Sequence, residues 1–272
     1  MPITADYHLH SSFSKDAKNT MEEMILKGIK LGLKTLCFTE HFELDFPISA
    51  EIPEGYFSLN TDSYLYDLLG LRDKYAGQIA VNFGVELGVY PHLLREMAQY
   101  VKAYDFDFII ASTHICNGRD PYQPEFYQGR SDIVAYREFF EATLVNVKKF
   151  TNFDVVGHLD YAVRYGPNKD QNYKFVDYSD ILDELLTVLV NNGKGIELNT
   201  SALISGLSEF NPSNAILKRY RELGGEIVTI GSDAHNINDI SRSFDRAVEV
   251  MKACGYKYYA VFEKRMATFL PL

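Results

Sequence analysis

Seven short runs that are apolar on both faces recur along the chain, and a helical pattern or a loop follows each of them. They cover 3–9, 35–39, 79–85, 108–112, 154–157, 195–198 and 227–230. A strand with no polar face must be covered on both sides, and regular alternation of such strands with helices makes the sheet parallel. The helical signals agree. Thr20-Met21-Glu22-Glu23 is a capping box, followed by a stripe of Met21, Met24, Ile25, Gly28 and Ile29, and Gly32 ends the helix. Ser131 is expected to open a long helix with Ile133, Val134, Phe140, Leu144 and Val147 inward. Ser179 caps another through Ile181, Leu182, Leu185, Leu186 and Leu189, which Gly193 stops, and 213–223 and 240–253 complete the helices. The expected architecture is a closed or nearly closed α/β barrel, with a doubly wound open sheet as the alternative. Stretches 41–59 and 116–130 read as loops or lids at the ends of strands.

At 272 residues the chain fits one barrel domain spanning 1–272. No apolar run approaches the roughly 18 residues that cross a bilayer. The start, Met1-Pro2-Ile3-Thr4-Ala5-Asp6, lacks the basic and apolar regions of a signal peptide, so the expectation is a cytoplasmic chain without membrane contact. A net charge of -10 argues against nucleic acid as a partner. Three scattered cysteines, Cys37, Cys116 and Cys254, fit reduced thiols and no disulfide framework.

Of the 7 histidines, six fall at or just past the C-terminal end of an expected strand: His8, His10, His41, His114, His158 and His235. Glu86 and Asp233 stand at the same level, and Asp16 lies in the loop after the first strand. That end of a parallel barrel is where side chains from separate strands converge. Packing gives no reason for such clustering, whereas imidazoles with carboxylates suit Zn, Mn or Fe. His8-x-His10 places two imidazoles on one strand face. Nine candidate ligands exceed the needs of one ion, so two or three divalent ions are expected, with Glu86 able to bridge a pair. Three such ions carry about +6, and the carboxylates with one hydroxide offset about -4, leaving a surplus that matches a phosphate dianion. The expected chemistry is attack of a metal-activated hydroxide on phosphorus, with Glu86, Asp233 and His235 carrying it.

Taken together, His8-x-His10, Thr39-Glu40-His41, Glu86, Ser112-Thr113-His114, Gly157-His158-Leu159-Asp160 and Gly231-Ser232-Asp233-Ala234-His235 resemble the polymerase-and-histidinol-phosphatase (PHP) superfamily. The resemblance implies a distorted (β/α)7 TIM-like barrel, the PHP fold, with a trinuclear metal site. Further segments, Ser14-Lys15-Asp16, Phe38-Thr39-Glu40-His41-Phe42, Ile115-Cys116-Asn117-Gly118 and Glu197-Leu198-Asn199-Thr200-Ser201, look like the stand-alone histidinol-phosphate phosphatases. By that resemblance His8, His10, Glu86 and Asp233 hold one ion, Glu86, His114 and His158 a second, and Asp16, His41 and His235 a third. It also implies hydrolysis of L-histidinol phosphate in histidine biosynthesis. The alternative is another PHP phosphoesterase acting on phosphotyrosine, a nucleotide or a broad range of monoesters; a non-catalytic metal-binding module fits less well, because the ligand set is complete.

The small-molecule phosphate monoester is expected to meet Arg164, whose guanidinium matches phosphate oxygens bidentately. The family's basic residue after Asn-Thr-Ser is missing from Ala202-Leu203-Ile204-Ser205-Gly206. Asn199, Ser205 and Arg130 are further candidates. Glu43 and Asp45, with Tyr122, Phe126 and Tyr127, are expected to receive a cationic amine-imidazole end. His92 reads as a surface histidine, Cys116 as lid packing, and Asp160 as a side chain orienting His158 or a loop amide.

Overall fold

Burial on both faces is what the apolar runs require, and the computed structural model, which describes residues 3–272, gives it to them; the reading of Met1 and Pro2 lies outside those residues. The runs form β1 (Ala5–Leu9), β2 (Thr35–Phe42), β3 (Ala80–Gly88), β4 (Phe108–Ser112), β5 (Val155–Val156), β6 (Gly195–Asn199) and β7 (Val228–Gly231). All pair in parallel and in chain order. Just past β7 the chain returns to β1: the Asp233 amide donates to His8 O at 2.7 Å and the His10 amide to Ala234 O at 2.9 Å. The sheet is thus a nearly closed barrel and not the open alternative.

Helices α1 (Met21–Leu31), α2 (Thr61–Lys74), α3 (Leu94–Ala103), α4 (Asp132–Lys149), α5 (Ser179–Asn191), α6 (Asn214–Glu222) and α7 (Phe244–Ala253) occupy the connections and the stretch after β7. The capping box of α1 is present, with Thr20 accepting from the Glu23 amide, and Gly32 ends the helix at φ 79. Three helical expectations need correction. Ser179 does not cap α5: it is the first residue of the helix, its hydroxyl donates to Val176 O, and the cap position falls on Tyr178. Ile133 and Val134 are 49% and 54% exposed, because the buried stripe of α4 is set by Tyr136, Phe139, Phe140 and Thr143, one turn further in. The last helix starts at Phe244, since Ser241 turns left-handed (φ 52) to give its amide to Asp6.

Unforeseen in the sequence is an antiparallel hairpin, β8 (Tyr258–Glu263) with β9 (Met266–Pro271). Tyr7 and Asn82 both donate to Phe262 O, and Asp107 receives the Lys264 amide. These bonds seat the hairpin at the N-terminal ends of β1, β3 and β4, so the site is left to the opposite end of the barrel. No helix among the described residues is long and apolar enough to cross a membrane.

Candidate metal centre and substrate pocket

Strand register alone brings the first side chains together. His41 lies directly opposite Glu86 on neighbouring strands, and the β7–β1 return sets Asp233 beside His8. β1 carries an extra residue between Asp6 and Leu9 relative to β2, a bulge that re-aims the strand where His8 sits. Asp233 is left-handed (φ 53), a conformation short polar residues tolerate and one common at functional sites.

Three groups of donor atoms face one another. In the first, Nε2 of His8 and Nε2 of His10 are 3.1 Å apart, and each is 3.5 Å from Asp233 Oδ1 and 3.3 or 3.5 Å from Glu86 Oε2. In the second, Glu86 Oε1 lies 2.9 Å from His158 Nε2 and 3.2 Å from His114 Nε2, which are 3.4 Å from each other. In the third, Asp16 Oδ2 is 3.4 Å from His41 Nε2 and 3.5 Å from His235 Nε2, themselves 3.3 Å apart. All nine expected ligands are therefore gathered, and Glu86 presents one oxygen to each of the first two groups.

The donor sets fit divalent cations. Ligand atoms about 2.0–2.2 Å from a tetrahedral ion stand about 3.3–3.6 Å apart, and the donor atoms here stand 2.9–3.5 Å apart, close to that spacing. Glu86 Oε2 is buried with no hydrogen-bond partner. Outward-facing ring nitrogens are already engaged: Nδ1 of His8 meets Glu197 at 2.5 Å, that of His114 meets Glu43 at 2.5 Å, that of His10 meets Ser14 at 3.2 Å, and that of His235 donates to Asp233 O at 3.0 Å. Such partners fix the ring and the tautomer so that Nε2 turns its lone pair inward.

Burial lowers the His8 and His41 pKa, but Glu197, Glu86 and Asp233 around His8, and Asp16 and Glu86 beside His41, outweigh it and hold both well above the usual value. His114 is pushed up to about 10 by Glu86 and Glu43 against the same burial. Burial would raise Glu86 and Asp233, yet the surrounding imidazoles hold both well below the usual carboxylate range. Carboxylates packed this densely stabilise positive charge at the centre.

Glycines make room for the supporting carboxylates. A Cβ on Gly88 would overlap the Glu43 carboxyl, and one on Gly231 would collide with Glu197 and His8. Glu197 also receives the His158 amide at 2.9 Å. The sequence reading missed Glu197 as a supporting group, although it lies on a strand two residues before Asn199 and so on the same face.

A cavity of about 370 Å³ opens over the donor groups. Arg164 lines it, 5% exposed, with three N–H groups donated: to Asn211 at 2.5 Å, Asn199 at 2.8 Å and Asp233 at 3.2 Å. Of the five donors a guanidinium carries, two are left for a ligand. Tyr161, Tyr165 and Tyr122 stack edge to face along one wall, and Phe46, Tyr56 and Phe57 cluster on the other.

Several expected contacts fall elsewhere. Asn199 accepts from Arg164 and Ser201 and donates to Glu197 and Asp233; it is buried and positions Arg164 instead of lining the cavity. Arg130 is taken by Phe126 O and Glu138, outside the cavity. Ser205 is also outside it, with its carbonyl accepting from Lys169. Glu43 reaches the cavity, but one oxygen meets His114 and the other accepts from Tyr90. Asp45 pairs with His92 on the surface. Of the three aromatics expected from 116–130, Tyr122 lines the cavity, whereas Phe126 and Tyr127 are buried outside it. Asp160 holds Asn211 and the Ser213 amide, and Cys116 packs under the lid.

Comparison with known proteins places this geometry. The PHP domain family matches residues 6–201. The histidinol-phosphatase of Lactococcus lactis (strain IL1403) is 33% identical over 94% of this chain and 93% of its own length. A probable histidinol-phosphatase of Clostridium acetobutylicum is 32% identical over 97% and 98%. The crystal structure of the L. lactis histidinol phosphate phosphatase, complexed with Zn, L-histidinol and phosphate, superposes with a TM-score of 0.88 at 31% identity, covering 97% of this chain and 98% of that one.

Proposed function

This chain belongs to the PHP domain family, and from that membership we propose that it is a metal-dependent phosphatase that hydrolyses L-histidinol phosphate to L-histidinol and phosphate in histidine biosynthesis. The observation that carries the reading is Glu86, whose two buried oxygens each face a separate group of imidazoles beneath a cavity lined by Arg164. The named relatives, a histidinol-phosphatase and a probable histidinol-phosphatase, match over nearly their full length, and the L. lactis enzyme was crystallised with Zn and both products of that reaction. The reading takes 1–272 as one catalytic domain, since the donor set draws on strand ends from β1 to β7.

His8, His10, Asp233 and Glu86 would hold one ion, Glu86, His114 and His158 a second, and Asp16, His41 and His235 a third. Bound divalent ions would supply an activated water at neutral pH and offset the charge that develops on the phosphate oxygens. The two free N–H groups of Arg164 bind the phosphate dianion in a fixed fork. Asp233 keeps that fork in place, its Oδ2 accepting from Arg164, Asn199 and Ser201 while Oδ1 faces His8 and His10. His235, anchored through Nδ1, presents Nε2 beside Asp16 at the cavity edge. The aromatic walls exclude water from the ester and receive the organic end of the substrate. Steady-state kinetics on a panel of phosphate monoesters, with protein of measured metal content, test the assignment. Histidinol phosphate is expected to lead the panel, and equal rates for all esters would reject it.

A further inference from the structure

A guanidinium binds phosphate well only when its fork is held in one plane and aimed, so the groups behind Arg164 matter to the reading that it holds the phosphate. Arg164 Nε donates to Asn211 Oδ1 at 2.5 Å. Asn211 is fully buried, and its backbone pairs with that of Asn199 in both directions, at 2.7 and 3.2 Å. With the backbone fixed, only the side-chain amide can choose which end faces Arg164. Behind it sits Asp160, 1% exposed and outside the substrate cavity. Its Oδ1 accepts from Asn211 Nδ2, and its Oδ2 accepts the Ser213 amide at 2.9 Å. The Asp160 carbonyl stands further from the same Nδ2, at 3.4 Å. A carboxylate only accepts and a guanidinium only donates. An amide between them therefore has one satisfied orientation, NH2 to the acid and oxygen to the cation.

We propose that Asp160 is a positioning residue for phosphate binding: it sets the polarity of the Asn211 amide and so holds the Arg164 fork aimed into the cavity. Burial makes a reversed amide costly, since its NH2 would face the guanidinium with no water to replace the lost acceptor.

Asp160→Asn keeps the shape but leaves one oxygen for two donors, the Asn211 NH2 and the Ser213 amide. The Ser213 amide is backbone and cannot turn, so serving it forces Asn211 to reverse and present NH2 to Arg164. The quantity read is the dissociation constant of inorganic phosphate, by calorimetry on metal-loaded protein of equal metal content. It is expected to rise at least about tenfold in Asp160→Asn. Added to Arg164→Ala, the same substitution is expected to cost less than about twofold more, because the fork it aims is gone. Combining Asp160→Asn with Asn211→Asp exchanges donors and acceptors along the chain of bonds and is expected to recover most of the loss, which a role in folding alone would not allow. An unchanged constant in Asp160→Asn, an equal loss with and without Arg164, or no recovery in the exchanged pair overturns the proposal. Arg164→Ala by itself tests the underlying reading: phosphate bound as tightly as by wild type would remove that reading. Weakened binding there beside an unaffected Asp160→Asn removes only the role of Asp160.

Discussion

Nδ1 of His114 lies 2.5 Å from Oε1 of Glu43, and the other Glu43 oxygen accepts the Tyr90 hydroxyl at 2.5 Å. Gly88 leaves the space in which this carboxylate sits. Glu43 therefore acts on the metal centre through His114, and Glu43→Gln should lower metal affinity by about 10- to 100-fold. Competition with a coloured chelator measures it. Retained affinity with a KM change confined to cationic esters would return Glu43 to substrate recognition.

Glu86 offers one oxygen to His8 and His10 and the other to His114 and His158, whereas His114 serves one group. Removing it as Glu86→Ala should cost more bound metal than His114→Ala, and both should lower kcat by orders of magnitude with the barrel still folded. Metal content by atomic emission, together with circular dichroism, checks this. Unfolding of both variants would mark the residues as structural.

Chelation should abolish activity, and Zn, Mn or Fe should restore it. Because the donors come from strands spread around the barrel, metal should also raise the melting temperature of the chelated protein by mass action. Full activity of demonstrably metal-free protein would exclude the proposed centre.

Metal uptake should release protons. Without metal, the carboxylates hold His8, His41 and His114 above the ordinary histidine value, His114 at about 10, so these imidazoles are protonated near neutrality. A cation needs the neutral ring and must displace the proton. Apparent affinity should therefore fall as pH is lowered and rise as pH climbs towards those values. Calorimetry in two buffers of different ionisation enthalpy counts the protons; a count of zero would contradict the charge assignment.

Much of this was legible in the sequence because it depended on period and position. Strands apolar on both faces specify a covered parallel sheet, and histidines at their C-terminal ends must converge once that sheet curls. The positions 108–112 matched a strand end for end. What failed depended on side-chain direction. Glu43 and Asp45 both read as lid acids, but only the packing shows one turned inward to His114 and the other outward to His92. Arg130 read as a further candidate behind Arg164, but Glu138 claims it. The closing hairpin, β8 with β9, carries a left-handed Lys264-Arg265 turn with no glycine, so the usual turn signal was absent.

Central to the account is that this cavity selects one phosphate ester by holding both of its ends. The most direct measurement is kcat/KM for L-histidinol phosphate beside p-nitrophenyl phosphate and glycerol phosphate, on wild-type and Arg164→Ala protein of known metal content. The account predicts a preference for histidinol phosphate of at least about a hundredfold, since remote binding energy is used at the transition state. It predicts a loss of at least about tenfold in Arg164→Ala. Equal efficiency on all three esters, or an Arg164→Ala variant as active as wild type, would contradict it.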